Sequence, residues 1–337
     1  MKIGSLELSM PFVQAPLAGY TDYPMRKLAR RFGCPLTFTG MMLDQFALHA
    51  KAIRQEKFHP ADDEHPVVAQ IVGHDPATLA RAAAVFEGLG YDMIDLNFAC
   101  PVPKVLRRQR GGFLMQKPDL IRQALRQTRD AVRCPVLMKI RIGFDRSAAA
   151  EEDFWTICEI AAAEGADMLA VHGRTVGQKY RGTADWTRIG QIKQRFATLT
   201  VFGSGDIFDA QTAVERLDCS GIDGIVIARG AVGNPWLFDE LLARTQGRPS
   251  PPPPTLAAQG EVILEHFQMC CRMRTGRRAV AYFRKFLPGY TRRHPDRKAT
   301  MLTLLAAQRP EDLTSAVKTA YGLQTASGTK HNPSQIF

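Results

Sequence analysis

One cysteine has the surroundings of a reactive thiol. Cys100 follows an apolar run that contains Asp95 and Asn97, a pattern typical of a buried strand with polar groups at its end. The prolines that come next lack backbone donors, so they end the strand and stiffen the loop that presents the thiol. Four cations lie in that loop before the pair Gly111-Gly112, namely Lys104, Arg107, Arg108 and Arg110. The pattern predicts reactive chemistry beside a polyanion, although an inert cysteine next to a solvated charge run fits the same letters.

Lys139 is a second candidate, because it lies inside the otherwise apolar segment 136–142. A lone charge in a protein interior is costly unless it has a partner, so a solvated surface position is disfavoured. Arg141 points to the same side of the strand by strand periodicity and is expected to reach its rim. The two residues therefore predict cations at a buried polar site.

These residues must be positioned by short apolar segments that alternate with amphipathic ones. We predict strands at residues 12–16, 36–40, 67–73, 93–98, 136–142, 168–173, 200–206 and 224–229. Helices are predicted between them, for example at 76–89, 119–131, 152–163 and 210–217. Eight strands that alternate with helices predict an α/β fold, a (β/α)8 TIM barrel. An open doubly wound sheet is the alternative, disfavoured because no Gly-x-Gly-x-x-Gly follows the first strand.

Two turns of small residues follow the last two predicted strands. They are Ser204-Gly205-Asp206 and Ala228-Arg229-Gly230. Small residues expose backbone N–H groups, and the N-terminus of a following helix favours an anion. One such turn is weak support, but two at consecutive strand ends of a barrel predict a phosphorylated cofactor.

The composition favours an anionic partner and a reducing environment. The 337 residues carry a formal net charge of +11, although solubility alone could account for a modest excess. Seven cysteines without regular spacing fit a reducing cytosol better than a disulfide framework, and no metal site is expected. With no signal-peptide pattern and no apolar run of about 18 residues, we expect a cytoplasmic protein without membrane segments.

The chain is predicted to contain two domains. We expect a barrel domain at residues 1–243, a proline-rich linker at 244–254, a small helical domain at 255–325 and a disordered tail at 326–337. The segment from Arg272 to Lys298 contains ten Lys or Arg residues and only one acidic residue. Its cations are interleaved with Tyr282, Phe283, Phe286 and Tyr290. Cations neutralise phosphates and aromatic rings can stack on bases, so RNA binding is favoured over a merely solvated face.

The sequence around Cys100 resembles the catalytic signature of the tRNA-dihydrouridine synthases. The resemblance rests on an Asn two residues after an Asp, then Cys-Pro, a Lys four residues after the Cys, and the closing Gly pair. The segment from His172 to Trp186, HGRTxxQxYxGxADW, is also a pattern of this family. The chain is most similar to the bacterial B-type subfamily, from whose pattern Phe98-Ala99 and Pro103 depart.

The resemblance implies a role for each candidate. Cys100 would donate a proton to a uracil ring, and FMN would be reduced by NADPH or NADH. The flavin contacts implied are Pro16, Leu17, Ala18, Gln70, Lys139, His172, Ser204, Gly205, Asp206, Ala228 and Arg229. The RNA contacts implied on the barrel are Asn97, Lys104, Arg141 and Arg174, and the helical domain would add Arg277, Arg278, Arg284 and Lys285.

We therefore expect FMN-dependent, NADPH-driven reduction of uridine to 5,6-dihydrouridine in tRNA. The same reaction on ribosomal RNA is one alternative, and a flavin barrel that reduces a free pyrimidine, as dihydroorotate-type enzymes do, is another. The basic C-terminal segment argues against the free pyrimidine. A non-catalytic RNA-binding relative is disfavoured, because Cys100, Lys139 and His172 are all present. The sequence does not determine the oligomeric state, and a monomer is the working expectation.

Overall fold

The computed structural model describes residues 1–55 and 58–323, and the predicted tail at 326–337 lies outside them. The chain divides by its contacts into two compact units, one at Met1–Pro251 and the other beginning at Pro252. The division falls within the segment 244–254 that the sequence predicts as a linker. In the part of the chain described, no helix has both the length and the apolar character needed to cross a membrane.

The first unit contains all the strands. They are β1 (Lys2–Ile3), β2 (Leu6–Glu7), β3 (Phe12–Gln14), β4 (Thr37–Phe38), β5 (Met42–Leu43), β6 (Val67–Val72), β7 (Met93–Asn97), β8 (Val136–Arg141), β9 (Met168–His172), β10 (Val201–Ser204) and β11 (Gly224–Ile227). Eight of them run parallel in the order β3-β11-β10-β9-β8-β7-β6-β4. The backbone N–H of Gln14 donates to the carbonyl of Leu36 at 3.2 Å and nearly closes the ring. The predicted TIM-barrel class is confirmed.

Helices alternate with the barrel strands. The first unit contains α1 (Tyr23–Arg31), α2 (Asp44–Ala47), α3 (Ala50–Ile53), α4 (Pro76–Gly88), α5 (Pro103–Leu106), α6 (Pro118–Ala131), α7 (Ala148–Ala163), α8 (Trp186–Arg195), α9 (Ala210–Ser220) and α10 (Trp236–Thr245). Short 3₁₀ helices lie at Asp62–Glu64, Gly111–Gln116 and Arg229–Ala231. Local sequence explains where α4 and α9 begin, since Asp75 and Asp209 accept hydrogen bonds from the N–H groups of Thr78 and Thr212.

The structure contains two short elements that the sequence did not predict. The antiparallel hairpin β1-β2 places Ile3 and Leu8 in the same buried cluster as Val13, Phe38 and Val226, and thereby fills one end of the barrel. The strand β5 pairs in parallel with the last residues of β6. Each of these strands has only two residues, too few for a periodic pattern to be recognised.

The second unit is helical in its described part. It contains α11 (Leu256–Met273), α12 (Arg277–Phe283), α13 (Leu287–Tyr290), α14 (Arg297–Ala306) and α15 (Pro310–Ala320), with 3₁₀ helices at Arg284–Phe286 and Thr291–Arg293. Its centre is aromatic. His266, Phe283, Phe286 and Tyr290 are buried and in ring contact, and the Tyr290 hydroxyl lies 2.7 Å from Nδ1 of His266.

Candidate active site

The carboxyl ends of β6, β7, β8 and β9 bring the predicted polar residues to one rim of the barrel. Strand register pairs Gln70 with Asp95 and Asn97 with Lys139. It also pairs Arg141 with His172. Asp95 and Asn97 are two residues apart on β7 and so face the same side. The fold therefore assembles at one place residues that the sequence spreads over about a hundred positions.

Three side chains form a hydrogen-bond chain that ends at the cysteine. The amide nitrogen of Gln70 donates to Asp95 Oδ2 at 2.7 Å, and the amide nitrogen of Asn97 donates to Gln70 Oε1 at 2.8 Å. Asn97 Oδ1 in turn accepts from the backbone N–H groups of Ala99, at 3.1 Å, and Cys100, at 3.0 Å. A buried carboxylate is thus linked through two amides to the backbone that carries the thiol.

Lys139 is buried, and its Nζ has no hydrogen-bond partner among the residues the structure describes. Burial lowers the pKa of Lys139 to about 8, although the nearby Asp95 charge opposes the shift. Burial likewise raises the pKa of Asp95 to about 7, opposed by the hydrogen bond from Gln70 and the charge of Lys139. A buried cation without an acceptor is costly, which indicates that Lys139 is kept for a ligand.

Cys100 is half-buried at the mouth of the barrel. Burial raises its pKa, while a hydrogen bond from the Val102 backbone and the charge of Arg141 oppose the rise. The thiol is therefore protonated at neutral pH and suits a proton donor. The glycine pair closes on this residue: the N–H of Gly112 donates to the Cys100 carbonyl at 3.0 Å, and a Cβ on Gly111 would lie 3.0 Å from Cys100 Cβ.

The cations of the loop that follows Cys100, residues 101–112 and here called the thiol loop, separate into an exposed and a buried group. Lys104, Arg107 and Arg108 are exposed, on or just after α5. Arg110 is buried, and its guanidinium lies 3.9 Å from the buried carboxylate of Asp44. Only the three exposed cations are therefore placed to meet a phosphate backbone.

Arg141 and Arg174, predicted as RNA contacts, are buried. Arg141 donates to the carbonyls of Ala99, Thr175 and Lys179 at 2.8–3.0 Å. Arg174 donates to Asp206 Oδ2 at 2.6 Å and to the carbonyls of the loop that follows β9. These bonds favour a role in shaping the rim over the predicted contact with RNA.

His172 lies at the end of β9 among cations. Burial lowers its pKa well below the ordinary value, and the charges of Arg141, Lys139, Arg174 and Arg229 act in the same direction. Its Nε2 is 3.4 Å from a guanidinium nitrogen of Arg174. The imidazole is therefore neutral and can donate a hydrogen bond through one nitrogen only.

The two predicted phosphate turns are adjacent. Gly205 and Asp206 have φ of +138° and +56°, and a Cβ on Gly230 would approach the Ile207 carbonyl oxygen to 2.3 Å. Burial opposes ionisation of Asp206, but hydrogen bonds from Arg174 and the Ala184 N–H outweigh it and hold its pKa below the usual range. Its other oxygen lies 3.2 Å from Arg229. Asp206 thus ties the two turns together, and the Arg229 guanidinium remains partly exposed.

The loop after β3 contains Pro16, Leu17 and Ala18. The hydroxyl of Thr21 accepts from the Leu17 N–H at 3.0 Å and donates to its carbonyl at 3.1 Å. Arg26 donates to the Thr21 carbonyl at 2.9 Å and pairs with the buried Glu64 at 2.7 Å. Thr21 and Arg26 therefore fix the conformation of the turn that contains Pro16, Leu17 and Ala18.

Sequence reasoning missed two features of this rim, the place of Asp95 and the pair of Arg110 with Asp44, whereas Tyr180 was predicted as a loop residue on the RNA side. Asp95 lies within the cysteine motif but was given no role. The buried pair of Arg110 and Asp44 could not be inferred, because the partners are distant in sequence. Tyr180 is 56% exposed, with Arg229 and Arg141 at 5.3 and 6.0 Å from its ring centroid. Its place in the segment from His172 to Trp186 was the available signal for a functional residue.

In the second unit, the predicted RNA contacts differ in exposure. Arg277 and Arg278 are exposed at the start of α12, whereas Arg284 and Lys285 are half-buried. Arg284 donates to the Ala307 carbonyl at 2.8 Å. Of the four interleaved aromatic residues, Phe283, Phe286 and Tyr290 belong to the core, so the interpretation that they stack on bases was wrong for these three. Their spacing reflects packing of the helices.

Comparisons with known proteins identify the family. The family described as dihydrouridine synthase (Dus) matches residues 13–321. A probable tRNA-dihydrouridine synthase of Mycobacterium tuberculosis is 40% identical over 281 residues, which cover 79% of this chain and 70% of that protein. The tRNA-dihydrouridine synthase B of Xanthomonas campestris pv. campestris is 33% identical over 311 residues, 92% of each chain.

A solved structure of 2-naphthoyl-CoA reductase shares the fold, with a TM-score of 0.56 at 12% identity. The match covers 74% of this chain and 52% of that one, so the chain spans about half the length of the solved protein. At this identity the likeness concerns the fold alone. The family match extends from the first barrel strand to the last described helices. The chain therefore belongs to the dihydrouridine synthase family, and its activity is that of a dihydrouridine synthase, an oxidoreductase.

Proposed function

We propose that this chain is a B-type enzyme that reduces uridine to 5,6-dihydrouridine in tRNA, with bound FMN and with NADPH as the reductant. The observation that carries the proposal is the protonated thiol of Cys100, whose backbone N–H is joined through Asn97 and Gln70 to a polar pocket that contains Lys139. The names of the relatives support tRNA as the substrate, and the similarity over 92% of the Xanthomonas enzyme supports the B-type assignment.

The residues at the rim fit FMN. Lys139 is a buried cation that has no acceptor among the described residues, which suits the flavin ring, and the turns at Gly205 and Gly230 follow two adjacent strands, where small residues suit a phosphate. The ring would be held by Pro16, Leu17, Ala18, Gln70, Lys139 and His172, and the phosphate by Ser204, Gly205, Ala228 and Arg229. We assign Asp206 to holding Arg229 in place, because its carboxylate would repel a phosphate. When bound, FMN supplies hydride chemistry.

The chain's own part in the reaction is to deliver and recover one proton. Uracil C6 gains a hydride and C5 gains a proton, so the C5=C6 double bond becomes a single bond. Cys100 donates that proton and is left as a thiolate, which recovers a proton from water. The positive charge of Arg141 lowers the cost of the transient thiolate.

RNA is bound by cations on both units in this proposal. Lys104, Arg107 and Arg108 would contact phosphates next to the reacting uridine, and Asn97 would contact the uracil ring. In the second unit the RNA would meet Arg277 and Arg278, with Arg284 and Lys285 beside them. We propose residues 255–325 as this RNA-binding domain, joined to the barrel by the proline-rich segment 244–254.

The experiment that tests the function is purification followed by product analysis. We expect a yellow protein that releases FMN on denaturation and oxidises many equivalents of NADPH only when an unmodified tRNA transcript is present, with dihydrouridine detected by mass spectrometry. Free uracil, uridine and a ribosomal RNA fragment serve as competing substrates. A colourless protein that does not take up added FMN would refute the cofactor, and faster turnover of a competing substrate would replace tRNA with that substrate.

A further inference from the structure

Asp95 is the one member of the hydrogen-bond chain without a proposed contact to cofactor or substrate. It lies on β7, is fully buried, and pairs in register with Gln70 of β6. Its Oδ2 accepts from Gln70 at 2.7 Å, while its Oδ1 has no partner among the described residues. A buried carboxylate in a barrel is costly, so its presence calls for a reason beyond packing.

The chemistry of the donors and acceptors gives that reason. An ionised carboxylate can only accept hydrogen bonds, whereas an amide side chain can present either its donor or its acceptor. Because Asp95 accepts, Gln70 must turn its NH2 group toward Asp95 and leave its oxygen for Asn97. Asn97 must then donate to Gln70, which leaves its oxygen for the N–H of Cys100. The Asp95 oxygen at one end of this hydrogen-bond chain and the backbone N–H groups of Ala99 and Cys100 at the other, which can only donate, therefore impose the same direction on every bond between them.

We propose that Asp95 is a positioning residue, whose carboxylate orders the amides of Gln70 and Asn97 and through them holds Cys100 in place. The inference rests on the proposed function, since it explains how the proton donor is held. Lys139 on the adjacent strand contributes to the same arrangement, because its charge favours the ionised form of Asp95.

Replacing the Asp95 carboxylate by an amide disturbs these hydrogen-bond directions, while the size of the side chain hardly changes. In Asp95→Asn, either the new NH2 group faces the NH2 group of Gln70, or the new amide oxygen accepts from Gln70 without the negative charge of the carboxylate. Both arrangements weaken the link to Gln70, because either a donor meets a donor or a charge-assisted hydrogen bond becomes a neutral one. We expect the hydrogen bond to the Cys100 N–H to be made less of the time and the thiol to become more accessible.

The test measures alkylation of Cys100 by iodoacetamide in FMN-free protein, with peptides quantified by mass spectrometry. Asp95→Asn should raise the alkylation rate of Cys100 about tenfold, the size expected for loss of a hydrogen bond to a charged group. Cys34 and Cys158 are fully buried in the same unit and report global opening. Their rates should stay unchanged, and acceleration of all three cysteines together would overturn the proposal in favour of a structural role.

Two further variants complete the experiment. Asp92→Asn is the matched control, because Asp92 precedes the same strand and accepts from the Val67 N–H at 2.6 Å, far from the cysteine loop along β7; it should leave Cys100 alkylation as in the wild type. The double variant Asp95→Asn with Gln70→Glu moves the carboxylate from position 95 to position 70 of the hydrogen-bond chain. There it can accept from the amides at positions 95 and 97. It should return Cys100 alkylation to within about threefold of the wild-type rate.

Failure of the double variant to slow alkylation would overturn the ordering mechanism, as would an Asp95→Asn protein with the wild-type rate. The readout needs neither RNA nor flavin. A wild-type protein that makes no dihydrouridine would therefore refute the proposed function, whereas alkylation that is indifferent to Asp95 would refute this inference alone.

Discussion

At the scale of single residues, opposing influences set the chemistry of Cys100. Burial raises the pKa of the thiol, and the neighbouring Arg141 lowers it. The balance keeps the proton on sulfur at neutral pH and still stabilises the thiolate after the proton has left. A cysteine in this setting suits the proposed role of acid, because a thiolate nucleophile would need a lowered pKa.

Removal of the thiol should separate the two halves of the catalytic cycle. Cys100→Ala is expected to keep flavin reduction by NADPH nearly intact, because that step needs no proton donor at the uracil. Reoxidation of the reduced protein by unmodified tRNA should slow by about 10² to 10⁴, the usual loss for a general acid. Rapid-mixing absorbance measures both steps.

Cys219→Ala is the control for that variant, because Cys219 is exposed on α9 and has no proposed role. Equal, small effects of Cys100→Ala on both steps would indicate a packing cysteine. RNA reoxidation within a few-fold of the wild type would likewise show that another group supplies the proton.

At the scale of secondary-structure elements, the thiol loop is closed by close backbone contact. The carbonyl of Cys100 accepts from the N–H of Gly112, where the 3₁₀ helix Gly111–Gln116 begins. A Cβ at Gly112 would lie 2.9 Å from that carbonyl oxygen and 2.9 Å from both methyl groups of Val176. The contact leaves no room for a side chain, so position 112 requires glycine for steric reasons.

Gly112→Ala should therefore displace the thiol loop. We expect slower reoxidation by tRNA, by about tenfold or more, since small misplacements of a reacting group are costly. Flavin content and reduction by NADPH should change little, because Gly112 lies outside the proposed flavin contacts. The same rapid-mixing measurement provides the comparison.

Gly88→Ala serves as the reference substitution. Gly88 is the last residue of α4, and a Cβ there would meet nothing within 4 Å. An added methyl group at that position should leave both steps unchanged and affect stability by no more than about 1 kcal/mol. If Gly112→Ala behaves like Gly88→Ala, the loop tolerates the added methyl and its closure is not important for catalysis.

At the scale of the whole molecule, a TIM barrel and a basic helical unit are combined in one chain. The formal net charge is +11, and the segment 272–298 contributes ten of the cations against one acid. Exposed Arg277 and Arg278 lie at the first turn of α12, where the helix dipole offers them no stabilisation. Cations in such a position are better explained by a polyanionic partner than by helix stability.

Salt dependence tests this role in the full-length protein. In Arg277→Ser with Arg278→Ser, the slope of log affinity for tRNA against log salt should become shallower by roughly 0.7 to 0.9 for each arginine that meets a phosphate. Fluorescence anisotropy with labelled tRNA between low and physiological salt measures the slope. Flavin content should stay at the wild-type value, because neither residue belongs to the barrel.

The control changes net charge equally on the barrel. Arg126→Ser with Arg195→Ser removes two exposed arginines that are paired with Glu164 and Glu159, at 2.9 Å in each case. This variant should keep the wild-type slope. Equal slopes for the two double variants would show that total charge governs binding and would remove the second unit from the proposed RNA contact.

Much of the architecture follows from local sequence. The alternation of apolar segments and amphipathic helices predicts the barrel, because period and turn residues act over a few positions. The cysteine motif predicts the family, which the comparison confirms over residues 13–321. The individual site roles stay predictions, supported by the shared position of Gln70, Asn97 and Lys139 at one rim.

Tertiary structure alone decided how those residues meet. The partners in the chain from Asp95 through Gln70 to Asn97 are 25 and 27 positions apart, and Arg174 pairs with Asp206 across 32 positions. Charge along the sequence suggested RNA contacts for Arg174 and base stacking for Phe283, yet both side chains are buried. Residue type and spacing determine which groups are available near the thiol, whereas strand register and burial determine their partners, because both depend on segments that are distant in the chain.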